Sequence, residues 1–537
     1  MAQTSFDYVI VGAGAAGCVM AARLSEDPAV RVALIEAGGG DGSPFLRIPG
    51  FGFLVGAAPK YNWGFVTEPM VGVDGRRMTL LAGKALGGSS SINGMIYTRG
   101  HSRDYDLWRQ MGAEGWGFEG VLPFFRKAEG SARGASALRG GDGPFRTKKS
   151  EPRLPIADAF LEALTQAGFP LRDDLNADEG EGFGFYDVNI HRGRRMSAAA
   201  SYLEAARVRP NLSVFTRAHA LRVAIENGRA RGVEILHLGV AERVSAEREV
   251  IVCAGAIKSP QLLMLSGVGP AEELAAQGLP VVVDSPNVGR NLQNHPCYRA
   301  QWLCNAPVTA RRHLHPLSAA KAAWNYALHR SGPLAESFVT AGGFFRTDER
   351  METPDAQVVM LAALVPDARP GKLNPWDLLP KEDGFSLTIY QGSPWSRGDV
   401  RLASADPLAA PRVQPNYFAD PRDMDVLVRA MTMMRAVIRQ PAIAKYVARE
   451  VRPGLAAVDD ATLRADIRRN ASTSYHQAGT CAMGVDETAV VDAALRVRGV
   501  DGLRVADASV IPRLPNAALH GPVIMIGEKA AALVKAA

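Results

Sequence analysis

Short apolar runs with abrupt ends dominate the first forty residues. Tyr8-Val9-Ile10-Val11 is a continuous apolar run of the kind a buried parallel strand requires, and Gly12 breaks it. Residues 15–24 then follow a small-residue helical pattern. A second run, Val32-Ala33-Leu34-Ile35, stops at Glu36 and a glycine cluster. Strand, helix and strand within about thirty residues predict a right-handed crossover unit. Between 210 and 255 the pattern turns to alternation, with Leu212-Ser213-Val214-Phe215 and Val233-Glu234-Ile235-Leu236, and ends in the buried-type run Val250-Ile251-Val252-Cys253.

Elsewhere the periodicity is weaker. Residues 38–75 are irregular and rich in Gly, Pro and aromatics, and 83–100 form a glycine-rich segment. Residues 129–151, rich in Gly, Ser and charge, are expected to form an exposed loop or lid. Residues 305–465 carry many prolines and amphipathic helix candidates such as 424–438, the pattern of a separate domain of mixed strands and helices. Leu503-Arg504-Val505-Ala506-Asp507 predicts a strand returning to the first domain, and 523–534 a closing helix. No internal repeat is present.

Composition narrows the class. At 537 residues the chain exceeds what one hydrophobic core covers, so two domains are expected. With 47% apolar and 22% charged residues it has an ordinary globular balance. A net charge of +6 without a dense basic run argues against nucleic acid; Arg192, Arg194 and Arg195, and Arg311 and Arg312, are expected on solvated faces or at local anion contacts. Five cysteines without a Cys-x-x-Cys pair suggest reduced thiols. With no signal-peptide pattern and no apolar segment of spanning length, the expected location is cytoplasmic, and peripheral membrane contact stays open.

The candidate chemistry begins with Gly12-Ala13-Gly14-Ala15-Ala16-Gly17, which follows a strand and opens a helix. Gly12 permits the tight turn, Gly14 lets backbone approach a pyrophosphate, and Gly17 lets helix and strand pack closely. Glu36 ends the second strand, where a carboxylate accepts hydrogen bonds from ribose hydroxyls. The motif points to a dinucleotide without choosing between NAD and FAD. His313 and His315 form an isolated His-x-His pair without nearby acidic or cysteine ligands, and no metal is expected.

Longer patterns carry more. Residues 83–100 (GKALGGSSSINGMIYTRG) strongly resemble the glucose–methanol–choline (GMC) oxidoreductase family. So do residues 255–269 (GAIKSPQLLMLSGVG), 62–65 (NWGF), 289–295 (GRNLQNH) and 507–512 (DASVIP). The resemblance runs end to end. It implies FAD, an α/β Rossmann-like FAD-binding domain assembled from several segments, and an α+β substrate-binding domain with an antiparallel sheet. It is divided here as 1–155, 196–300 and 466–537 for the flavin and 156–195 and 301–465 for the substrate. Oxidation of primary alcohols or related CH–OH groups is the implied activity.

Carried over by position, Gly87, Gly88 and Asn93 match the loop against the flavin and pyrophosphate. Ala220 matches the backbone that reads the adenine edge, and Asp507 and Ala508 the segment beside the ribityl chain. The implied cofactor-contacting set also takes in Ala15, Ala16, Ala37, Ser91, Gly94, Met95, Ile96 and Pro522. Where some members tether the flavin through a histidine this chain has Ile92, which predicts non-covalent FAD.

His476, in Tyr475-His476-Gln477-Ala478-Gly479, resembles the catalytic histidine motif, and His520 occupies the second active-site position. Hydride leaves an alcohol carbon only as its hydroxyl proton is taken by a base, and neutral imidazole titrates near working pH. His476 is assigned as base and His520 as hydrogen-bond partner of the substrate oxygen, with exchange of the two roles left open. His295, beside Asn291 and Asn294, is expected to be structural. Choline-oxidising members, as aligned here, carry an acid where this chain has Thr340, so a neutral aliphatic or aromatic alcohol is expected ahead of choline. Tyr475 packs against such a substrate or fills core. The electron acceptor (O₂, a quinone or a redox protein) stays open. Alternatives are a same-fold lyase or photodecarboxylase, disfavoured by the intact histidine pair, and a flavin-binding protein without catalysis; anaerobic bleaching by an alcohol separates them.

Overall fold

The structure, a computed structural model, describes residues 5–52, 55, 58–151, 154–176, 180–365 and 379–537. Parts of the two irregular stretches, 53–54, 56–57 and 366–378, lie outside the described residues.

Two seven-stranded sheets organise the chain. In the first, β1 (Ser5–Val11), α1 (Ala15–Leu24) and β2 (Val32–Glu36) form the crossover unit with the predicted limits. Next come β3 (Leu212–Thr216), β4 (Ala218–Glu226), β5 (Arg229–His237), β6 (Val240–Val252) and β7 (Leu503–Val505). The order is β3-β2-β1-β6-β5-β4, with β7 against β6. The 13-residue β6 serves two sheets in one. Its first half pairs antiparallel with β5, and its second half runs parallel between β1 and β7. Burial follows this division: the start of β6 is exposed, whereas Val250, Ile251 and Val252 are fully buried like Ile10 and Leu34 beside them.

The second sheet is antiparallel, in the order Val447–Arg452, Pro296–Cys304, Gly384–Gln391, Ala356–Leu361, Val339–Phe345 and Gly182–Phe185, and Ser472–Thr473 pairs with its second strand. Side chains alternate between its two faces along the central strands. Tyr298, Ala300, Phe385, Leu387, Ile389, Val358 and Met360 pack under the helices Pro155–Gln166 and Pro421–Ile438, the latter the predicted amphipathic segment. Arg299, Thr388, Tyr390, Gln357 and Val359 turn to the other face and wall a cavity.

Two expectations fail here. Residues 129–151 are not an exposed lid: Glu129–Ser131 and Phe145–Lys149 pair in parallel, and Glu129 and Arg139 are buried. The charges of this segment pair inward, Arg99 with Glu129 and Arg139 with Asp187, so they do not report solvent. The closing helix also begins earlier than its apolar pattern. It is α3 (His520–Lys535), and His520 is its first residue, not part of a preceding turn. The helix packs on α1 where Gly527 meets Ala16 and Val19, so closely that a Cβ at Gly527 would lie 2.9 Å from Val19 Cβ.

Candidate active site

One end of the cavity is built by backbone. Gly12 (φ +101°) has no room for a side chain: a Cβ would lie 2.4 Å from the Cys253 carbonyl oxygen. At Gly17 it would lie 1.8 Å from the Gly12 oxygen, which is why helix and turn pack so tightly. Gly14 differs. Its Cβ would have a single neighbour at 3.8 Å, so the missing side chain leaves the N-terminus of α1 open to the cavity, uncapped and without acidic residues in its first turn. A second helix, α2 (Gly255–Leu265), opens onto the same space. The unobstructed N-terminus of α1 facing this cavity suits a pyrophosphate.

The loop after residue 83 closes this end. Gly87 N–H donates to the Ala13 carbonyl at 2.8 Å, and a Cβ on Gly88 (φ +54°) would lie 2.7 Å from Gly14 Cα. Glu36 accepts from Ala13 N–H at 3.0 Å and Gly38 N–H at 2.7 Å, and burial pushes its carboxyl up to about 7. Asp507 accepts from Gly255 N–H (2.8 Å), Ser259 Oγ (2.5 Å) and Ser509 N–H (2.8 Å), tying the 507 segment to α2. Two ammonium groups approach the Trp63 ring, Lys84 at 4.5 Å and Lys258 at 4.7 Å from its centre. Burial, then the charge of Lys84, pushes Lys258 down to about 8. An anionic dinucleotide fits this cradle.

The cavity holds about 480 Å³. It is bordered by Gly12, Gly14, Ala15, Ala16, Glu36, Ala37, Gly88, Asn93, Gly94, Met95, Ile96, Ala220, Asp507 and Ala508, together with His476 and His520. Four expected contacts stand behind this wall. Gly17 and Gly87 shape the turns, Ser91 Oγ donates to the Leu86 carbonyl at 2.7 Å, and Pro522 is buried in the first turn of α3. At Ala220 the β4–β5 pairing slips register before Arg222. The cavity also takes in Trp63 and Lys258, from the matched segments 62–65 and 255–269, and Arg299, Phe338, Gln357 and Tyr390, which no sequence pattern singles out as site residues.

His476 is held by long-range pairing. Ser472–Thr473 runs against Pro296 and Cys297, and Gln293 bridges to Ala478. The Asn294 side chain accepts from His476 N–H at 2.8 Å and donates to Thr473 Oγ1 at 2.7 Å. Tyr475 takes a left-handed backbone (φ 64°) and borders the cavity. His295 is more than packing: its Nδ1 lies 2.9 Å from His476 Nδ1. The carbonyls of Pro515 and Gly392 flank its buried ring.

His520 sits edge-on to Phe145 with ring centres 4.7 Å apart, and its Nδ1 lies 3.4 Å from Asn93 Nδ2. Asn93 Oδ1 accepts from Met95 N–H (3.1 Å) and Arg195 Nη1 (2.8 Å), which leaves its amide nitrogen to face the imidazole. Arg195 corrects a sequence expectation. It is 1% exposed, has no carboxylate partner among the described residues, and donates to the carbonyls of Asn93 and Ser90. Burial pushes its guanidinium down to about 9. Burial also holds both cavity imidazoles neutral, His476 down to about 4 and His520 to about 3, with the Arg195 charge adding to the second.

Comparison with known proteins agrees with this geometry. The sequence profile of the GMC oxidoreductase family matches residues 6–297 and 394–527. The chain is 40% identical over 542 residues to the mitochondrial choline dehydrogenase of Homo sapiens, covering 99% of this chain and 90% of that one. It is 40% identical over 527 residues to the oxygen-dependent choline dehydrogenase of Sinorhizobium medicae, covering 98% and 94%. Among solved structures, pyridoxine 4-oxidase from Mesorbium loti matches with a TM-score of 0.89 and 32% identity over 99% of both chains. A formate oxidase matches with 0.91 and 28%, over 99% of this chain and 98% of the other.

Proposed function

The chain belongs to the GMC oxidoreductase family and is an FAD-dependent oxidoreductase of CH–OH donors, and from that premise we propose that it oxidises a neutral primary alcohol to the aldehyde, with His476 as general base and His520 as donor to the substrate oxygen. FAD, when bound, supplies the hydride acceptor at its N5 position.

The observation that carries the assignment is how each imidazole is tethered. His295 and His476 meet Nδ1 to Nδ1, so one ring must donate there, and we take His295, near the carbonyls of Pro515 and Gly392, as the ring that accepts. His476 then donates from Nδ1, and its Nε2 keeps a lone pair. His520 meets the amide nitrogen of Asn93 and must accept at Nδ1. Its proton therefore sits on Nε2, which has no hydrogen-bond partner among the described residues. These tautomers are assigned from the hydrogen-bond network. One ring offers a lone pair to the hydroxyl proton, and the other an N–H to the oxygen as charge develops.

In this proposal residues 1–155, 196–300 and 466–537 hold the flavin and 156–195 and 301–465 the substrate, and the cofactor is contacted by those predicted residues that border the cavity. Non-covalent binding is supported by Ile92, buried and without a nucleophile. A cytoplasmic setting is supported by five cysteines that form no disulfide; no helix among the described residues is long and apolar enough to cross a membrane.

Choline is the second reading, favoured by the 40% identity to choline dehydrogenases. Against it, the described residues bordering the substrate end supply Tyr390, Tyr475 and Phe338 but no carboxylate, and Arg299 adds a cation. The test is anaerobic flavin bleaching by a panel of alcohols, choline included, followed by O₂ and quinone. Rapid bleaching by neutral alcohols supports the proposal. Bleaching by choline alone transfers the assignment, and no bleaching by any alcohol rejects it.

A further inference from the structure

Both scattered arginine groups of the sequence, 192–194 and 311–312, reach the two ends of one exposed helix. Helix Pro316–His329 buries a single residue, Ala322. Its inner face is anchored by Tyr326, whose hydroxyl donates to the Gly193 carbonyl at 3.0 Å. The outer face is apolar where solvent should favour polar groups. Leu317 is 78% exposed, Trp324 66% and Leu328 57%. Spaced i, i+7 and i+11, with Lys321 at i+4, they form one stripe along the helix. Leu314 stands at its start, itself exposed.

Charge surrounds the stripe with one sign. Arg192, Arg312, Lys321 and Arg330 are exposed, and none has a carboxylate partner among the described residues. The acids at this edge are taken: Asp383 pairs with Arg311 at 3.2 Å and Glu204 with Arg194 at 3.6 Å. The surface continues toward the cavity. Segment Pro333–Ala335 packs on Pro49–Phe51, and exposed Phe45 meets Phe51 with ring centres 5.2 Å apart. Gly52 and Phe338, just beyond these segments, border the cavity.

We propose that this helix docks the enzyme on an anionic lipid bilayer, the stripe entering the headgroup–acyl boundary and the basic residues meeting lipid phosphates. The surface is the outer face of a helix that buries one residue. A folded partner would need a matching trough, whereas a fluid leaflet needs none, and a tryptophan-centred stripe between cations suits the bilayer interface. Docking would set the substrate end of the cavity beside the membrane, where apolar alcohols and quinones dissolve.

The test floats holoenzyme with vesicles of phosphatidylcholine, alone or with about one third phosphatidylglycerol. Holoenzyme is expected to rise with the anionic vesicles at low salt and to be released near 0.5 M salt, roughly where exposed charges are screened. Arg312→Gln with Arg330→Gln lowers the partition coefficient by about 30-fold, roughly fivefold per charge. Leu317→Ser with Trp324→Ser abolishes partition, and reduction of bound flavin by a water-soluble alcohol is unchanged in every variant. Holoenzyme left behind by anionic vesicles, or both double variants floating like the parent, overturns the proposal. So does a concentration-dependent dimer lost in the Leu317/Trp324 variant without lipid binding, which would assign the stripe to a second copy of the chain.

Discussion

Lowering the pH tests the burial of His476 directly. Burial holds its imidazole down to about 4, so the base keeps its lone pair far into acid. At pH 5.5 an imidazole titrating at about 4 is ~97% neutral, whereas one at the ordinary value near 6.5 is ~9% neutral, about a tenfold difference in the rate of proton abstraction. His520, held to about 3, adds no limb above that. The folded protein is itself sensitive here. Its buried histidines stay neutral while unfolded ones take up protons below about 6.5, so stability falls as pH drops from 6.5 towards 4 and beyond. The assay is therefore a pH jump. Holoenzyme held at pH 7.5 is mixed anaerobically with alcohol in acidic buffer, and flavin bleaching is followed at low alcohol concentration, where the rate constant reports the free enzyme. Expected is a plateau from pH 8 to about 5.5, with half of the rate lost near 4. Half-loss near 6.5 would refute the argument, because it would mean that His476 is solvated or is not the base.

Three further outcomes are expected. Arg195→Gln frees Asn93 to turn and unsettles the His520 tautomer. FAD should stay bound while reduction slows by about ten- to a hundredfold, the worth of one hydrogen bond to a charged group, and Arg195→Lys should recover part of it; stopped-flow kinetics beside flavin content reads both. Glu528→Gln removes a fully buried carboxylate that accepts from Arg23 at 2.7 and 2.9 Å and from Tyr202 Oη at 2.9 Å. Stability should drop by about 3 kcal/mol in denaturant titration, and a change under about 0.5 kcal/mol would mean the pair is solvated. Acid or heat precipitation should leave the flavin in the supernatant, and colour retained on washed protein would contradict the Ile92 argument.

The parts of this molecule legible in sequence are those whose causes are local. β1, α1 and β2 are bounded by a run of Val and Ile, a glycine turn and a terminal acid. The long glycine-rich signatures are legible as residue patterns instead, because the backbone that a missing side chain answers can be distant, as Gly14 is from Gly88. The burial of Arg195 and of residues 129–151 is not legible for one common reason. A charged side chain carries no local mark of whether it faces water or a partner such as Asp187, 48 residues away from Arg139 in the chain.

The choice of base shows the same limit at the level of single protons. Nothing within either histidine motif distinguishes a ring that accepts from one that donates, because a tautomer belongs to the neighbours. His476 is defined by His295, 181 residues earlier, and His520 by Asn93, 427 residues earlier, which Arg195 in turn holds. Each contact exists only because two distant segments are locked together: the strand pair 296–297/472–473 for one, and the docking of α3 on α1 for the other. On the proposed roles, the fold's work in this site is to deliver two identical imidazoles with opposite proton placement. Disturbing a tether should change the chemistry more than its distance from the substrate suggests.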